Sequence, residues 1–272
     1  MITVNSTIVL LNATVTNSAG TSVTGLSRSQ FTVFEDGVEQ NILSFENEST
    51  PFAAVILLDT SGSMEQRLSI ARSAAIEFLY GLRRDDNAAI YRFDSKVSLV
   101  QNFSNSRDIV ESIFDLKADG MTSLNDAIYK AAAVLSSRTE KRRAIIVLSD
   151  GADNSSGKSS DAALKAAISA NATIYTIDMS SPDEHGIERV QNQGVLKSLA
   201  GKSGGTFVAT PGGPAMRNSF KSIVEELSSQ YTVTYEPTNL KKDGKFRSIE
   251  VRIKKSGVTI RTRKGYNAPK GK

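Results

Sequence analysis

Residues 52–64 read FAAVILLDTSGSM. Seven apolar residues in a row, Phe52 to Leu58, stop at Asp59 and give way to hydroxylated residues and glycine. A continuous apolar run of this length is the pattern of a parallel strand covered on both faces. The Asp-Thr-Ser-Gly-Ser that follows is then the loop at its carboxyl end. A second run, Ala144 to Leu148, ends in the same manner at Ser149-Asp150-Gly151. Ala88–Phe93, Thr173–Ile177 and Thr206–Ala209 predict further strands, with Val97–Val100 as a short hairpin partner. Between them, apolar residues recur at helical spacing: Ala71, Ala75, Phe78 and Leu82; Ile109, Ile113 and Leu116; Ile128, Ala131 and Leu135; Phe220, Ile223, Val224 and Leu227. Such alternation over 51–230 predicts an α/β domain with a doubly wound, mostly parallel sheet flanked by helices.

Outside that segment the period changes to two. Val9, Leu11, Ala13 and Val15 share one face of an extended stretch, and Phe31 and Val33 share a face of another. Glu35-Asp36-Gly37 predicts a hairpin turn leading into an extended stretch from Val38 to Phe45. After residue 230, Tyr231, Val233 and Tyr235 face one way, followed by Ile249, Val251 and Ile253 and then Val258 and Ile260. Neither flank has enough apolar residues for its own core. Together, 1–50 and 231–272 supply about seven strands, so the α/β domain is expected to be inserted into a small all-β, sandwich-like domain formed by both chain ends.

Composition removes many chemistries. The 272 residues contain no cysteine and one histidine, His185, which sits in a polar turn. Disulfides, thiolate metal sites and histidine-rich zinc sites are therefore excluded. No apolar run approaches the length of a membrane span. Met1 leads into polar-apolar alternation with no basic-then-apolar leader, as the excised middle of a longer protein would. The net charge of +4 hides an asymmetry: from Thr238 to Lys272 the local net is +10, and the rest of the chain carries −6. Arg252, Lys254, Arg261 and Arg263 alternate with the apolar positions, so the expectation is a solvated face of two strands rather than a nucleic-acid surface.

In an open α/β sheet, ligands bind at the carboxyl ends of the strands near the point where the winding reverses. The loops after residues 58 and 149 belong there, and a third, Asp119-Gly120-Met121-Thr122-Ser123, can reach the same spot. Asp59, Ser61, Ser63, Thr122 and Asp150 would then converge. All offer oxygen, which suits a hard divalent cation: Mg²⁺ first, with Mn²⁺ or Ca²⁺ as alternatives. Neutral hydroxyls around the cation would leave it electrophilic, with one position free for a carboxylate on a partner protein.

This set, with the stretches AVILLDTSGSM, DGMTSLNDAI and AIIVLSDGADN in that order, resembles the metal-ion-dependent adhesion site of von Willebrand factor type A domains. The resemblance covers about residues 52–230. It implies that Ser61, Ser63 and Thr122 are direct ligands, while Asp59 and Asp150 act largely through water. Integrin β-type domains carry further acidic residues after the third position for a neighbouring calcium. Here Met64-Glu65-Gln66-Arg67 supplies one acid only, so a single cation is expected. The β-rich flanks look like those of bacterial secreted proteins with this domain, which implies an extracellular, periplasmic or cell-surface location. The function implied is metal-dependent protein binding, in adhesion or assembly, without catalysis.

Alternatives come from other classes. Asp59 and Ser63 could simply cap the following helix. A strand-end Asp also opens phosphoryl-transfer sites, but the second acid needed two positions on is Ser61 here. Neither G-x-S-x-G nor G-x-x-x-x-G-K-[ST] occurs. A metal-free scaffold that binds through the basic C-terminal strands is the remaining alternative.

Overall fold

The computed structural model describes residues 8–47, 50–105, 111–181, 183, 185–209 and 213–271. In chain order the strands before the α/β segment are β1 (Val9–Asn17), β2 (Phe31–Glu35), β3 (Val38–Gln40) and β4 (Ile42–Glu46). The α/β segment contains β5 (Phe52–Asp59), α1 (Leu68–Tyr80), β6 (Asn87–Phe93), β7 (Val97–Ser104), α2 (Leu124–Ser136), β8 (Arg142–Ser149), α3 (Ser160–Ser169), β9 (Ala172–Asp178), α4 (Ile187–Ser203), β10 (Phe207–Val208) and α5 (Gly213–Ser229). β11 (Tyr231–Tyr235), β12 (Phe246–Ile253), β13 (Val258–Arg261) and β14 (Gly265–Asn267) complete the fold.

The central sheet has the order β10-β9-β8-β5-β6-β7, parallel except for the edge hairpin strand β7. Every residue of β5 is buried, as its apolar run predicts, and so is every residue of β9. The two-residue period of β5 divides its side chains between two cores. Phe52, Ala54, Ile56 and Leu58 pack with Phe78 of α1 and Phe220 and Leu227 of α5. Ala53, Val55 and Leu57 pack with Ile128 of α2, Leu164 of α3 and Leu199 of α4. The winding reverses between β5 and β8, so Asp59 and Asp150 lie at the ends of neighbouring strands at the switch point.

Both chain ends build two four-stranded sheets, β13-β1-β11-β4 and β14-β12-β2-β3, facing each other across Leu11, Val33, Tyr231, Val233 and Val251. Phe31 lies 5.1 Å, ring to ring, from both Phe45 and Tyr231. There are thus eight strands rather than seven. The expected single stretch from Val38 to Phe45 divides at Asn41: β3 stays with its hairpin partner β2, while β4 crosses to the other sheet beside β11. Two departures concern the α/β segment. The helix expected over 109–116 is a single 3₁₀ turn, Glu111–Ile113, and Ile109 lies outside the described residues. The strand expected at 206–209 is two residues long, Phe207–Val208, paired in parallel with β9.

The basic face is the larger correction. Arg252 is solvated and pairs with Glu250, as expected. Arg261 and Arg263 instead point into the contact between the β-sheets and the α/β segment. Arg261 pairs with Glu226 of α5 and donates to the Gly204 carbonyl at 2.9 Å. Arg263 donates to Ile168 O at 3.0 Å and Asn171 Oδ1 at 3.1 Å. Arg142, fully buried at the start of β8, reaches Thr232 Oγ1 of β11 at 3.2 Å and the Thr50 carbonyl at 3.1 Å. Helix ends and strand starts leave backbone carbonyls without partners, and guanidinium forks are well suited to satisfy them. All these contacts lie at the amino-terminal end of the parallel strands. The β-sheets are therefore attached some seven residue steps, roughly 23 Å along β5, from Asp59.

Candidate functional site

At the carboxyl end of β5 the Asp59 side chain is fully buried. Its Oδ1 accepts from the Ser61 amide at 2.9 Å and from Ser61 Oγ at 2.5 Å. Its Oδ2 accepts from Ser149 Oγ at 2.5 Å. Ser61 Oγ and Ser63 Oγ are 3.2 Å apart, which places three hydroxyl or carboxylate groups in one chain of contacts. Ser61 is buried while Ser63 is exposed, so the group opens toward solvent at Ser63.

Asp150 approaches from β8. Its Oδ1 accepts the Ala152 amide at 3.0 Å, fixing the side chain in an Asx-type turn. Gly151 follows with φ +87°, and a Cβ there would lie 2.8 Å from the Asn192 carbonyl of α4. Only glycine allows this turn to sit so close to the helix. Burial pushes the Asp59 carboxyl up to about 7; hydrogen bonds from Ser149 and Ser61 oppose the rise, and the Asp150 charge adds to it. Among the described residues no Lys or Arg forms an ion pair with either carboxylate.

Thr122 is also buried. It makes no hydrogen bond to the other four residues among those described, but its loop is locked to theirs. The Gly62 amide donates to Gly120 O at 3.1 Å, and the Asp119 amide donates to Thr60 O at 2.8 Å. From the other side, the Thr122 amide donates to Asn154 Oδ1 at 2.8 Å, while the Asn154 and Ser155 amides both donate to Thr122 O at 3.0 Å. The structure thus brings Asp59, Ser61, Ser63 and Asp150 to one point, with Thr122 on a loop braced against both neighbours.

Two residues of this arrangement do not stand out in the sequence. Ser149 was legible in principle, because in-register pairing of the two apolar runs places it beside Asp59. Asn154 carried no signal, since an Asn in the loop five residues beyond β8 reads as an ordinary turn residue. No group of three or more His, Cys, Asp and Glu side chains that could hold a metal occurs among the described residues. The donors gathered here are two carboxylates and neutral hydroxyls.

Residues 54–152 match the family model of the von Willebrand factor type A domain. The match takes in about a third of the chain, from β5 to the turn after β8. Among solved structures it is similar to a von Willebrand factor type A protein from Catenulispora acidiphila, with TM-score 0.55 and 14% identity over 100% of this chain and 76% of the other. It is also similar to the PilB minor pilin of Streptococcus sanguinis (D319A mutant), with TM-score 0.53 and 17% identity over 66% of this chain and 62% of the pilin. Likeness at these identities shows a shared fold. An uncharacterized protein of Synechocystis sp. is 26% identical over 183 residues, 66% of this chain and 42% of that protein. Another, from Borreliella burgdorferi, is 25% identical over 56% of this chain and 52% of its own length. The chain spans about half the length of the curated relatives it matches.

Proposed function

We propose that this protein is a binding module in which a divalent cation, Mg²⁺ foremost, joins it to a carboxylate of a partner protein. The observation that carries this reading is the state of Asp59. It is a fully buried carboxylate with a second carboxylate nearby, and among the described residues no basic side chain pairs with either one. Burying an unpaired charge is costly unless a cation or a proton neutralises it. An all-oxygen donor set fits a hard divalent cation.

Ser61, Ser63 and Thr122 would contribute hydroxyl oxygens directly, and Asp59 and Asp150 would act largely through water. A bound cation would supply an electrophilic centre with one position free for an external oxygen. Ser149 and the Ser61 amide hold the Asp59 carboxylate in place, and Asn154 and Gly120 hold the Thr122 loop. Ser63, exposed at the rim, faces the partner.

The reading is one of binding rather than catalysis, and the fold shared with a minor pilin supports a cell-surface or extracellular setting. The domain organisation that goes with it is a unit at 51–230 inserted between the two halves of a β-domain, 1–50 and 231–272. No helix among the described residues is long and apolar enough to cross a membrane.

The test is thermal unfolding in EDTA, Mg²⁺, Mn²⁺ and Ca²⁺. A cation at one hundred times its dissociation constant adds about 2.7 kcal/mol to the native state. That corresponds to a rise of roughly 5–10 °C for a chain of this size. The rise is expected in the wild type and not in Asp59→Ala or Ser63→Ala. Equal unfolding temperatures in EDTA and in every cation would contradict the reading.

A further inference from the structure

Beside the candidate site lies a cavity of about 170 Å³, lined by Gly62, Ser63, Glu65, Arg67, Asp150 and Ser180 among others. Two of these, Ser63 and Asp150, belong to the candidate cation site. The opposite character comes from Arg67, at the amino-terminal cap of α1. Its Nη2 donates to the Ser180 carbonyl at 3.3 Å, which holds the guanidinium across the gap between the β5–α1 loop and the loop after β9. Arg67 is half-buried, and no carboxylate pairs with it among the described residues. Arg83, Arg138 and Arg261 each have a carboxylate partner, and Arg142 and Arg263 each have more than one oxygen acceptor, whereas the Arg67 side chain has the Ser180 carbonyl alone among the described residues. An arginine fork commonly pairs with a carboxylate in bidentate fashion, and a cavity of this size admits one such side chain.

We propose that this cavity receives a second carboxylate from the same partner segment, so that the protein recognises a pair of acids rather than one. This inference rests on the cation reading of the adjoining site. One acid would complete the cation's shell above Ser63, and the second would enter the cavity and pair with Arg67. The partner class is an acidic peptide segment carrying two Asp or Glu residues close together. Glu65 is exposed on the cavity wall and opposes the second acid. It thereby reduces binding of two-acid segments without touching the one-acid contact.

The experiment uses short glycine-based peptides with two Asp residues adjacent, one apart or two apart, each compared with the same peptide carrying Asp and Asn. Affinities are read by NMR titration of the whole chain in Mg²⁺ and in EDTA. In Mg²⁺, the best two-Asp peptide is expected to bind at least tenfold tighter than its Asp/Asn counterpart. In Arg67→Gln that ratio is expected to fall to about one, while the Asp/Asn peptide and Mg²⁺ itself bind as in the wild type. Glu65→Gln is expected to raise the ratio. If one-acid and two-acid peptides bind equally in Mg²⁺, or the preference survives Arg67→Gln, the two-acid proposal is overturned and the cation reading stands. If no peptide binds better in Mg²⁺ than in EDTA, both fall together.

Discussion

Ser149 Oγ donates a 2.5 Å hydrogen bond to Asp59 Oδ2, joining the last residues of two adjacent parallel strands. A buried carboxyl held in this way is oriented before any ligand arrives, and burial without a counter-ion keeps it protonated up to about 7.

Chelated protein should lose stability as pH rises from about 4 to 7. In the native state Asp59 holds its proton up to about 7, against an ordinary value of 3.8. Between those values the native chain binds more protons than the unfolded one, so the unfolding free energy falls with pH. The contribution is fully present below the ordinary value and is lost through about 7, a change on the order of 4 kcal/mol. Urea unfolding across this range in EDTA should show the fall. Asp59→Asn, which cannot ionise, should flatten it.

Asn154→Ala should weaken the cation site without unfolding the protein. Its side chain and amide grip Thr122 from both sides, at 2.8 and 3.0 Å. Partners that orient ligands are worth roughly 10–100-fold in metal affinity. Calorimetric titration with Mg²⁺ should show a loss in that range; an unchanged affinity would remove Asn154 from the site.

Gly151→Ala should destabilise the fold by about 2 kcal/mol or more, because a positive φ and a backbone clash act together. The clash is with the Asn192 carbonyl, 2.8 Å from where the Cβ would stand. Chemical denaturation measures it directly, and a near-neutral substitution would mean that the Asp150 turn and α4 can separate freely.

The contact between the β-sheets and α5 should depend on Glu226. Its Oε1 accepts from Tyr175 Oη at 2.7 Å and Thr14 Oγ1 at 3.1 Å, and it pairs with Arg261. Removing one partner of a buried pair costs about 3–5 kcal/mol. The Arg261 side chain keeps 32% exposure, so about 2 kcal/mol is expected for Arg261→Met after allowance for solvent screening. The combined variant with Glu226→Gln should cost less than the sum of the two singles.

Much of the α/β unit was legible because its physics is local. A strand buried on both faces must be apolar throughout, so Phe52–Leu58 and Ala144–Leu148 identify themselves, and the polar residues at their ends mark the ligand edge. α3 and α4 were harder to see. Ala163 and Ala167 bury little apolar surface, and α4 buries only its second half, from Leu196 onward. The pairing of β4 with β11 and of β13 with β1 was not legible at all, since alternation reveals a face but not a neighbour. Arg142, Arg261 and Arg263 were read as, or passed over for, solvent-facing charges. Nothing in their spacing shows that carbonyls at helix ends and strand starts, far away in sequence, await a donor. For the site, the five residues follow from strand ends and loop chemistry, whereas Asn154 and Arg67 act through tertiary contacts that leave no mark in a single sequence.

The most direct test of the cation site is the crystal structure of the chain grown with Mn²⁺, read by anomalous difference density. One peak is predicted, between the hydroxyls of Ser61, Ser63 and Thr122, with Asp59 and Asp150 around it and an open side facing solvent at Ser63. An ordered site with no anomalous peak at saturating Mn²⁺, or a peak held by other residues, would contradict the account.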